Sequence, residues 1–274
     1  MSLVPPTTWV EGMPSSPETS TPPLAWEPQR PAWEVREVDP SSARDTAWAA
    51  QLHRQLFTDI GLIAQLGERV LQRFCYGRLI KDGLMRAALA LVADKPAGLI
   101  TFTKDSKAVH RAALGSHIAP ALREVVIATI LAPRILLGVP GAARLLYERR
   151  NEQLGDGAPV AEVLALGVRE EYRNREFLRT TGIRLSDSLL HYALVELKAS
   201  GVTEGRGVIL TSNRPALAFC RLRASRVRPY DNAAHPSIEV WYNIDEALNA
   251  MNRRVAQRNS NLRTSGGCRA VAPE

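Results

Sequence analysis

The sequence feature that most constrains the fold is the stretch from Ala161 to Leu197, in which apolar and basic residues occupy separate blocks. The run Val163–Val168 is apolar and has the length of a buried β-strand. Beyond it, Gly182 stands among five arginines, which are Arg169, Arg173, Arg175, Arg179 and Arg184. Apolar residues then recur with helical spacing from Ile183 to Leu197. The stretch therefore predicts a strand, a basic loop and a helix, in that order.

This order of elements suits the binding of a phosphate group. The first backbone N–H groups of a helix have no partner within the helix and carry the positive end of its dipole. Arginines in the preceding loop add charge-assisted hydrogen bonds to phosphate oxygens. The stretch has neither a Walker lysine nor a G-x-G-x-x-G sequence, so it identifies no particular nucleotide. An ordinary strand-to-helix connection with solvated arginines remains the alternative.

Two segments of the chain resemble motifs of one enzyme family. Ala161–Val168, followed by Glu171–Arg175 and by Gly182 with Ile183, is similar to motif A of the GNAT acyl-CoA-dependent N-acetyltransferases. Asn213–Arg223 is similar to their motif B, N-x-x-A-x-x-F-Y-x-x-L-G. The resemblance implies an α/β fold with a mixed, mostly antiparallel central sheet and helices on both faces. It also implies that acetyl-CoA donates an acetyl (acyl) group directly to a primary amine of a small molecule or peptide in a ternary complex.

The chain departs from the family pattern at three points. Six residues, Glu176–Thr181, separate Arg175 from Gly182 and predict a longer loop than usual. The segment Arg179–Arg184 also fits the R-x-x-G-x-G/A pattern of the family's phosphate-binding loop. The sequence therefore leaves open which arginine is the first residue of that loop. Cys220 occupies the motif B position at which the family often has a tyrosine that protonates the departing thiolate.

Three residues are catalytic candidates. The resemblance implies that Glu162 is the base that deprotonates the amine through water. The residue type suits this role, since a carboxylate beside an apolar strand can have its pKa raised towards the working pH. A surface glutamate at the start of a strand is the alternative. Cys220 is the candidate acid, although a buried, inert cysteine on the core face of the helix is the more common case. Tyr230 and Tyr192 are the substitutes for Cys220 in that role.

The residues that the resemblance assigns to binding of the acetyl-CoA donor fall into two groups. Three would pair with the pantetheine amides through their backbone groups: Leu166, Gly167 and Val168. The others would hold the phosphates or contact the donor: Arg173, Arg175, Arg179, Gly182, Ile183 and Asn213. Asn213 is equally explained as a helix cap.

Composition limits the other classes of function. The net charge of +7 and the pI near 9.7 are compatible with nucleic acid, but the chain has no zinc-finger or RNA-binding signature, and a CoA phosphate site explains the charge. Three cysteines and five histidines are scattered, so we predict no metal site. We expect a cytoplasmic protein without a membrane span, because the chain begins with no secretion signal and its longest apolar run is interrupted. The sequence does not indicate the oligomeric state.

The predicted organisation has three parts. A tail rich in proline, serine and threonine covers 1–31, the acyltransferase domain covers 32–256 and a flexible C-terminal tail covers 257–274. Within the domain, we expect residues 104–159 to form a helical insertion between the third and fourth strands. The other predicted strands are Trp33–Val38, Met85–Val92, Ala97–Thr103, Gly207–Leu210, Val227–Tyr230 and Ile238–Ile244. The predicted helices are Ala43–Phe57, Ile63–Ile80, Ala121–Ala132, Ala142–Arg150, one starting at Asn213, and Asp245–Val255.

Two other functions remain open on the sequence. One is a module that binds acyl-CoA without turnover. The other is an acyltransferase that uses a long-chain acyl-CoA or an acyl carrier protein as its donor, for which the basic surface and the apolar insertion would be useful. We also hypothesise that the insertion covers the acceptor end of the cleft.

Overall fold

The strands form one seven-stranded sheet in the order β1-β2-β3-β4-β5-β7-β6. The computed structural model describes residues 32–57, 64, 67–114, 118–131, 159–230 and 236–265. Within them, β4 and β5 pair in parallel and the other neighbouring strands pair in antiparallel. This arrangement confirms the predicted mixed, mostly antiparallel sheet. The strands are β1 Trp33–Glu37, β2 Arg86–Val92, β3 Lys95–Thr103, β4 Ala161–Val168, β5 Glu204–Leu210, β6 Arg226–Tyr230 and β7 Ser237–Asn243.

The helices of the described residues connect these strands. A short helix, α2, continues directly into a π-helix, Leu71–Leu79. A single 3-10 turn, Glu170–Tyr172, follows β4. The α-helices are α1 Ala43–Phe57, α2 Glu68–Val70, α3 Ser106–Leu114, α4 Ile118–Leu131, α5 Arg175–Thr181, α6 Leu185–Ala199, α7 Arg214–Arg221 and α8 Ile244–Ser265.

Each face of the sheet carries its own apolar core. Neighbouring residues of β3 point to opposite faces, as strand geometry requires. Ile100 packs with Leu189 and Leu194 of α6 on one face, whereas Leu99 packs with Leu52 of α1 on the other. We call the first of these the α6 face and the second the α1 face. Because both faces are buried, the central strands are almost continuously apolar.

The hairpin of β2 and β3 follows from its two-residue turn. Ala93 and Asp94 both have positive φ, 48° and 58°, as the common two-residue hairpin turns require. Val92 pairs with Lys95 across this turn. The predicted hairpin is therefore confirmed, with Lys95 and Pro96 in β3 rather than in the turn.

Most of the other predicted elements are confirmed, and two helices differ from the prediction. The helix α3 was not predicted, and its first turn is capped by Asp105, whose carboxylate accepts hydrogen bonds from the backbone of Lys107 and Ala108. The last helix continues to Ser265, so the expected flexible tail from Gln257 overlaps it. The predicted helix Ala121–Ala132 corresponds to α4. The predicted helix Ala142–Arg150 and the N-terminal tail lie outside the described residues.

A β-bulge in β4 sets the direction of its side chains. Thr101 and Phe102 of β3 pair with Ala165 and Val163, which leaves Leu164 as an extra residue in β4. Val163 packs on the α6 face and Leu164 on the α1 face. Three residues later, Gly167 lies against the end of α1.

We predict that Gly167→Ala destabilises the protein. An added Cβ would lie 2.9 Å from both Leu56 Cδ1 and Phe57 Cζ and 3.3 Å from Leu56 Cβ, so these two side chains at the end of α1 would have to move. Overpacking of this kind costs about 1 to 3 kcal/mol. The control is Gly205→Ala in β5, where the nearest atom, Leu197 Cδ1, is 3.8 Å away. Thermal unfolding of both variants checks the prediction, and an equal loss in both would contradict it.

Candidate active site

The central sheet opens between β4 and β5. Their parallel pairing is confined to three positions, where Ala161, Glu162 and Val163 face Gly205, Arg206 and Gly207. Both strands continue beyond this junction, β4 as far as Val168 and β5 as far as Leu210. A cleft therefore separates the carboxyl halves of the two strands, which is where ligands bind in open α/β sheets.

The backbone of β4 forms one wall of this cleft. Leu166, Gly167 and Val168 pair with Ile100, Leu99 and Gly98 of β3 on one side. The opposite edge of β4 faces the cleft and can offer N–H and C=O groups to an extended ligand, as an added strand would use them. These three residues are the ones that the motif A resemblance assigned to the pantetheine amides.

Two helices begin beyond the carboxyl ends of the strands that form the cleft. The chain from β4 leads to α6, which starts at Leu185, and the chain from β5 leads to α7, which starts at Arg214. The N-terminal turn of each helix favours negative charge. Asn213 caps α7 by accepting a hydrogen bond from the Ala216 N–H at 3.2 Å. This hydrogen bond confirms that Asn213 caps α7, and its contact with the acyl-CoA donor stays a prediction.

The prediction of a long basic loop after β4 is wrong, because seven of its residues, Arg175–Thr181, form the helix α5. Asn174 caps α5 by accepting a hydrogen bond from the Phe177 N–H at 2.7 Å. Gly182 ends it with a φ of 73°, a left-handed conformation that favours glycine. The helix after the loop starts at Leu185 rather than at Gly182. Arg173 thus precedes α5, Arg175 and Arg179 belong to it, and Arg184 is the residue directly before α6.

An arginine that the sequence analysis did not single out neutralises an acidic residue at the start of α6. The Arg223 guanidinium donates hydrogen bonds to Asp187 Oδ1, one of them from Nε at 3.0 Å. It also lies 3.7 Å above the centre of the Phe219 ring. Burial lowers the pKa of Arg223, Asp187 opposes this change, and the positive charges of Arg184 and Arg254 lower it further. The start of α6 is therefore rich in positive charge, and the only signal in the sequence was the arginine-rich end of motif B.

Glu162 lies at the closed end of the cleft and is buried, so the surface-glutamate alternative is wrong. Its neighbours Ala161 and Val163 point to the α6 face, which places its side chain on the α1 face. Arg206 donates to Glu162 Oε2 from Nε at 3.1 Å and from Nη2 at 3.0 Å. Burial lowers the pKa of Arg206, but the carboxylates of Glu162 and Glu239 outweigh this effect and raise it. Glu162 is therefore a charge-compensated carboxylate.

The three candidate acids lie in different surroundings. Cys220 belongs to the apolar core of the α6 face. Burial raises the pKa of its thiol, and a hydrogen bond with Tyr242 only partly opposes this rise. Tyr192 packs edge-on against Phe102, and burial raises its pKa to about 12. Tyr230 ends β6 and interacts electrostatically with Arg206. Of the three, Tyr230 is thus the one that interacts with Arg206, which is the ion-pair partner of Glu162.

The described residues hold neither a cluster of metal-binding side chains nor a membrane-spanning helix. They hold no group of three or more histidine, cysteine or acidic side chains that could bind a metal ion. None of the helices among them is long and apolar enough to cross a membrane.

Comparison with known proteins returns similarity to solved structures. No protein-family model and no curated protein matches the chain. The matching structures include PaiA N-acetyltransferase from Thermoplasma acidophilum with coenzyme A, at 13% identity and a TM-score of 0.41, over 77% of this chain and 99% of that one. A GNAT-family acetyltransferase from Staphylococcus aureus Mu50 matches at 10% identity and 0.43, over 78% and 99%.

A third match is a chain of the NatC complex bound to a Gag peptide and CoA, at 11% identity and a TM-score of 0.44, over 77% of this chain and 98% of that one. The chain resembles the GNAT acetyltransferases. The segments that carry motifs A and B occupy β4 to α6 and α7 of the structure.

We predict that Arg223→Met is strongly destabilising. It would leave the half-buried Asp187 carboxylate without its cation, and breaking a buried ion pair in this way costs about 3 kcal/mol or more. The double variant Arg223→Met/Asp187→Asn should lose less, because no uncompensated carboxylate remains. Lys198→Met is the control, since its ion pair with Asp245 is exposed and is worth no more than about 1 kcal/mol. Urea unfolding measures all three, and an Arg223 variant no worse than the control would contradict the prediction.

Proposed function

We propose that this protein is an acyl-CoA-dependent N-acyltransferase that transfers an acetyl group from acetyl-CoA to a primary amine by direct attack in a ternary complex. The observation that supports it best is the cleft between β4 and β5, with a buried carboxylate at its closed end and a positive helix start at its mouth. These are the groups that a phosphorylated thioester donor and an amine acceptor require.

The length of the cleft suits the donor. From Val163 to Val168, β4 advances five residues, which corresponds to roughly 17 Å of strand. An extended pantetheine arm is of the same order, so phosphates at the start of α6 would place the thioester near Glu162. The first turn of α6, with Arg179 and Arg184, holds the phosphates. Leu166 to Val168 pair with the amides of the arm.

The chemistry needs one base and one acid. Glu162 takes a proton from the amine through water, so that the nitrogen attacks as a neutral nucleophile. The nitrogen then bonds to the thioester carbonyl carbon, the carbon–sulfur bond breaks and the sulfur leaves as a thiolate. Tyr230 supplies the proton that the thiolate takes, and its phenolate regains one through water from the nitrogen, which loses that proton to become a neutral amide. Cys220 has a structural role instead, because it lies in the core and pairs with Tyr242.

The acceptor approaches from the α1 face, toward which Glu162 points. The helix α4 of the insertion lies on the same side, where Glu124 accepts a hydrogen bond from Arg69 of α2 at 3.0 Å. A helical cover there excludes water from the amine and restricts which amine can enter. Small-molecule amines and peptide amines are the two classes to test.

One observation favours a second candidate, an acyl-CoA-binding module without turnover. Arg206 already occupies Glu162 with two hydrogen bonds, as it would in a purely structural ion pair. A protein that binds acetyl-CoA and releases no CoA with any amine would be such a module. The long-chain and acyl-carrier-protein donors are distinguished by comparing acetyl and long-chain thioesters in the same assay.

We predict that acetyl-CoA stabilises the protein and that Glu162→Gln keeps this stabilisation while losing turnover. A ligand at a hundred times its Kd adds about 2.7 kcal/mol to stability. Loss of a general base lowers kcat by roughly 10²-fold to 10⁴-fold. Melting curves with acetyl-CoA and CoA release with an amine panel measure the two effects.

The matched control is Glu196→Gln, which removes a carboxylate that pairs with Arg86 away from the cleft. Its turnover should equal that of the wild type. The absence of any melting shift at millimolar acetyl-CoA would rule out the proposed donor. Equal turnover in Glu162→Gln and the wild type would rule out the base.

We predict that Tyr230→Phe lowers turnover, whereas Cys220→Ala lowers stability. Without the phenol, reprotonation of the thiolate slows and kcat falls by about 10²-fold. Without the thiol, Tyr242 loses its partner and the core loses packing, so stability falls while turnover per folded molecule is kept. Tyr192→Phe serves as the control for loss of a hydroxyl. The opposite pattern, with low turnover in folded Cys220→Ala, would return the acid role to the thiol.

A further inference from the structure

A buried charge network crosses three strands at the closed end of the cleft. Arg206 of β5 stands between two carboxylates, Glu162 of β4 and Glu239 of β7. Besides its two bonds to Glu162, it donates from Nη1 to Glu239 Oε1 at 2.7 Å. The other oxygen of Glu239 accepts a hydrogen bond from Trp241 Nε1 at 3.2 Å. Glu239 is therefore held on both oxygens, and Arg206 is held on both sides.

The burial of this network is unusual for its charge. The side chains of Glu162, Arg206 and Glu239 are 2%, 13% and 14% exposed, so two carboxylates share one guanidinium away from water. On the neighbouring strand, Arg228 and Arg226 lie in register with Glu239 and Trp241. Removing charged groups from water is expensive, so such a network is weak evidence for stability and better evidence for a function. Arg86 also joins two glutamates, Glu37 and Glu196, but those three side chains are 28% to 45% exposed.

We propose that Arg206 and Glu239 are positioning residues that fix the orientation of Glu162 and set the pH at which it accepts a proton from the acceptor amine. This inference rests on the proposed function, in which Glu162 is the base. Arg206 holds the carboxylate at the closed end of the cleft through two hydrogen bonds. Glu239 shares the guanidinium, so that Arg206 does not pair with Glu162 alone.

The two positioning residues have opposite effects on Glu162. Charged or titratable groups that act on Arg206 are Glu162 from β4, Glu239 from β7 and Tyr230 from β6. Removing Arg206 leaves two buried carboxylates side by side, and like charges favour protonation of one of them. Removing the charge of Glu239 leaves Glu162 as the remaining carboxylate on the Arg206 guanidinium, and this favours the ionised form of Glu162.

The experiment is the pH profile of kcat/KM for the wild type and four variants. In Arg206→Met the acid limb moves to higher pH by about 1 unit or more, and in Glu239→Gln it moves to lower pH. Arg206→Lys, which keeps the charge, restores most of the wild-type profile. Arg86→Met, which breaks the exposed network away from the cleft, leaves the profile unchanged. Rates are divided by the concentration of acetyl-CoA sites so that unfolded protein does not contribute.

A second measurement separates this inference from the proposed function. Carbon-13 NMR of glutamate-labelled protein follows the titration of the Glu162 carboxyl, assigned by its loss in Glu162→Gln. A shift to higher pH in Arg206→Met and to lower pH in Glu239→Gln supports the inference, whatever the activity. Unchanged titration in both variants, or acid limbs that move in the same direction, overturns it. If Arg206→Met fails to fold, Glu239→Gln alone decides, because it leaves the Arg206–Glu162 pair in place. Titrations that shift as expected in a protein that transfers to no amine overturn the proposed function instead.

Discussion

The short parallel junction between β4 and β5 is the constraint on which the rest of the structure depends. Adjacent parallel strands need a crossover connection, and here α5 and α6 supply it. The crossover returns the chain so that both strands end at the same edge of the sheet, where α6 and α7 then begin. Because pairing stops at Val163 and Gly207, the strands separate and leave a cleft in an otherwise continuous sheet.

Two arginine-centred networks lie at opposite ends of this cleft. Arg206 compensates Glu162 at the closed end, and Arg223 compensates Asp187 at the mouth. Both guanidinium groups are largely buried, where an unpaired charge would be costly. Arginines gather at the mouth, whereas the closed end holds two carboxylates. Under the proposed function, this separation would give a phosphorylated thioester one favourable direction in which to enter.

Local signals account for the elements that the sequence predicted. Helical spacing of Leu189, Leu190, Ala193, Leu194 and Leu197 predicted α6, and these residues are buried in the core. The helix α5 was missed because its apolar residues are few and its arginines indicated a loop. Its two ends were nonetheless visible as a capping asparagine, Asn174, and a terminal glycine, Gly182. Where the end signals were weak, as in α8, the predicted boundary was ten residues short.

The sequence by itself determined the types of most elements, the mixed sheet and the two motif segments, because periodicity and motif spacing depend on residues close together in the chain. It also placed Glu162 at the start of β4 and Asn213 at the start of α7. Only the tertiary structure decided what surrounds them. Arg206 is 44 residues from Glu162 and 33 from Glu239 along the chain, and the three meet because β4, β5 and β7 are neighbours in the sheet. Burial and ion pairing depend on such distant partners, and no local pattern in the sequence records them.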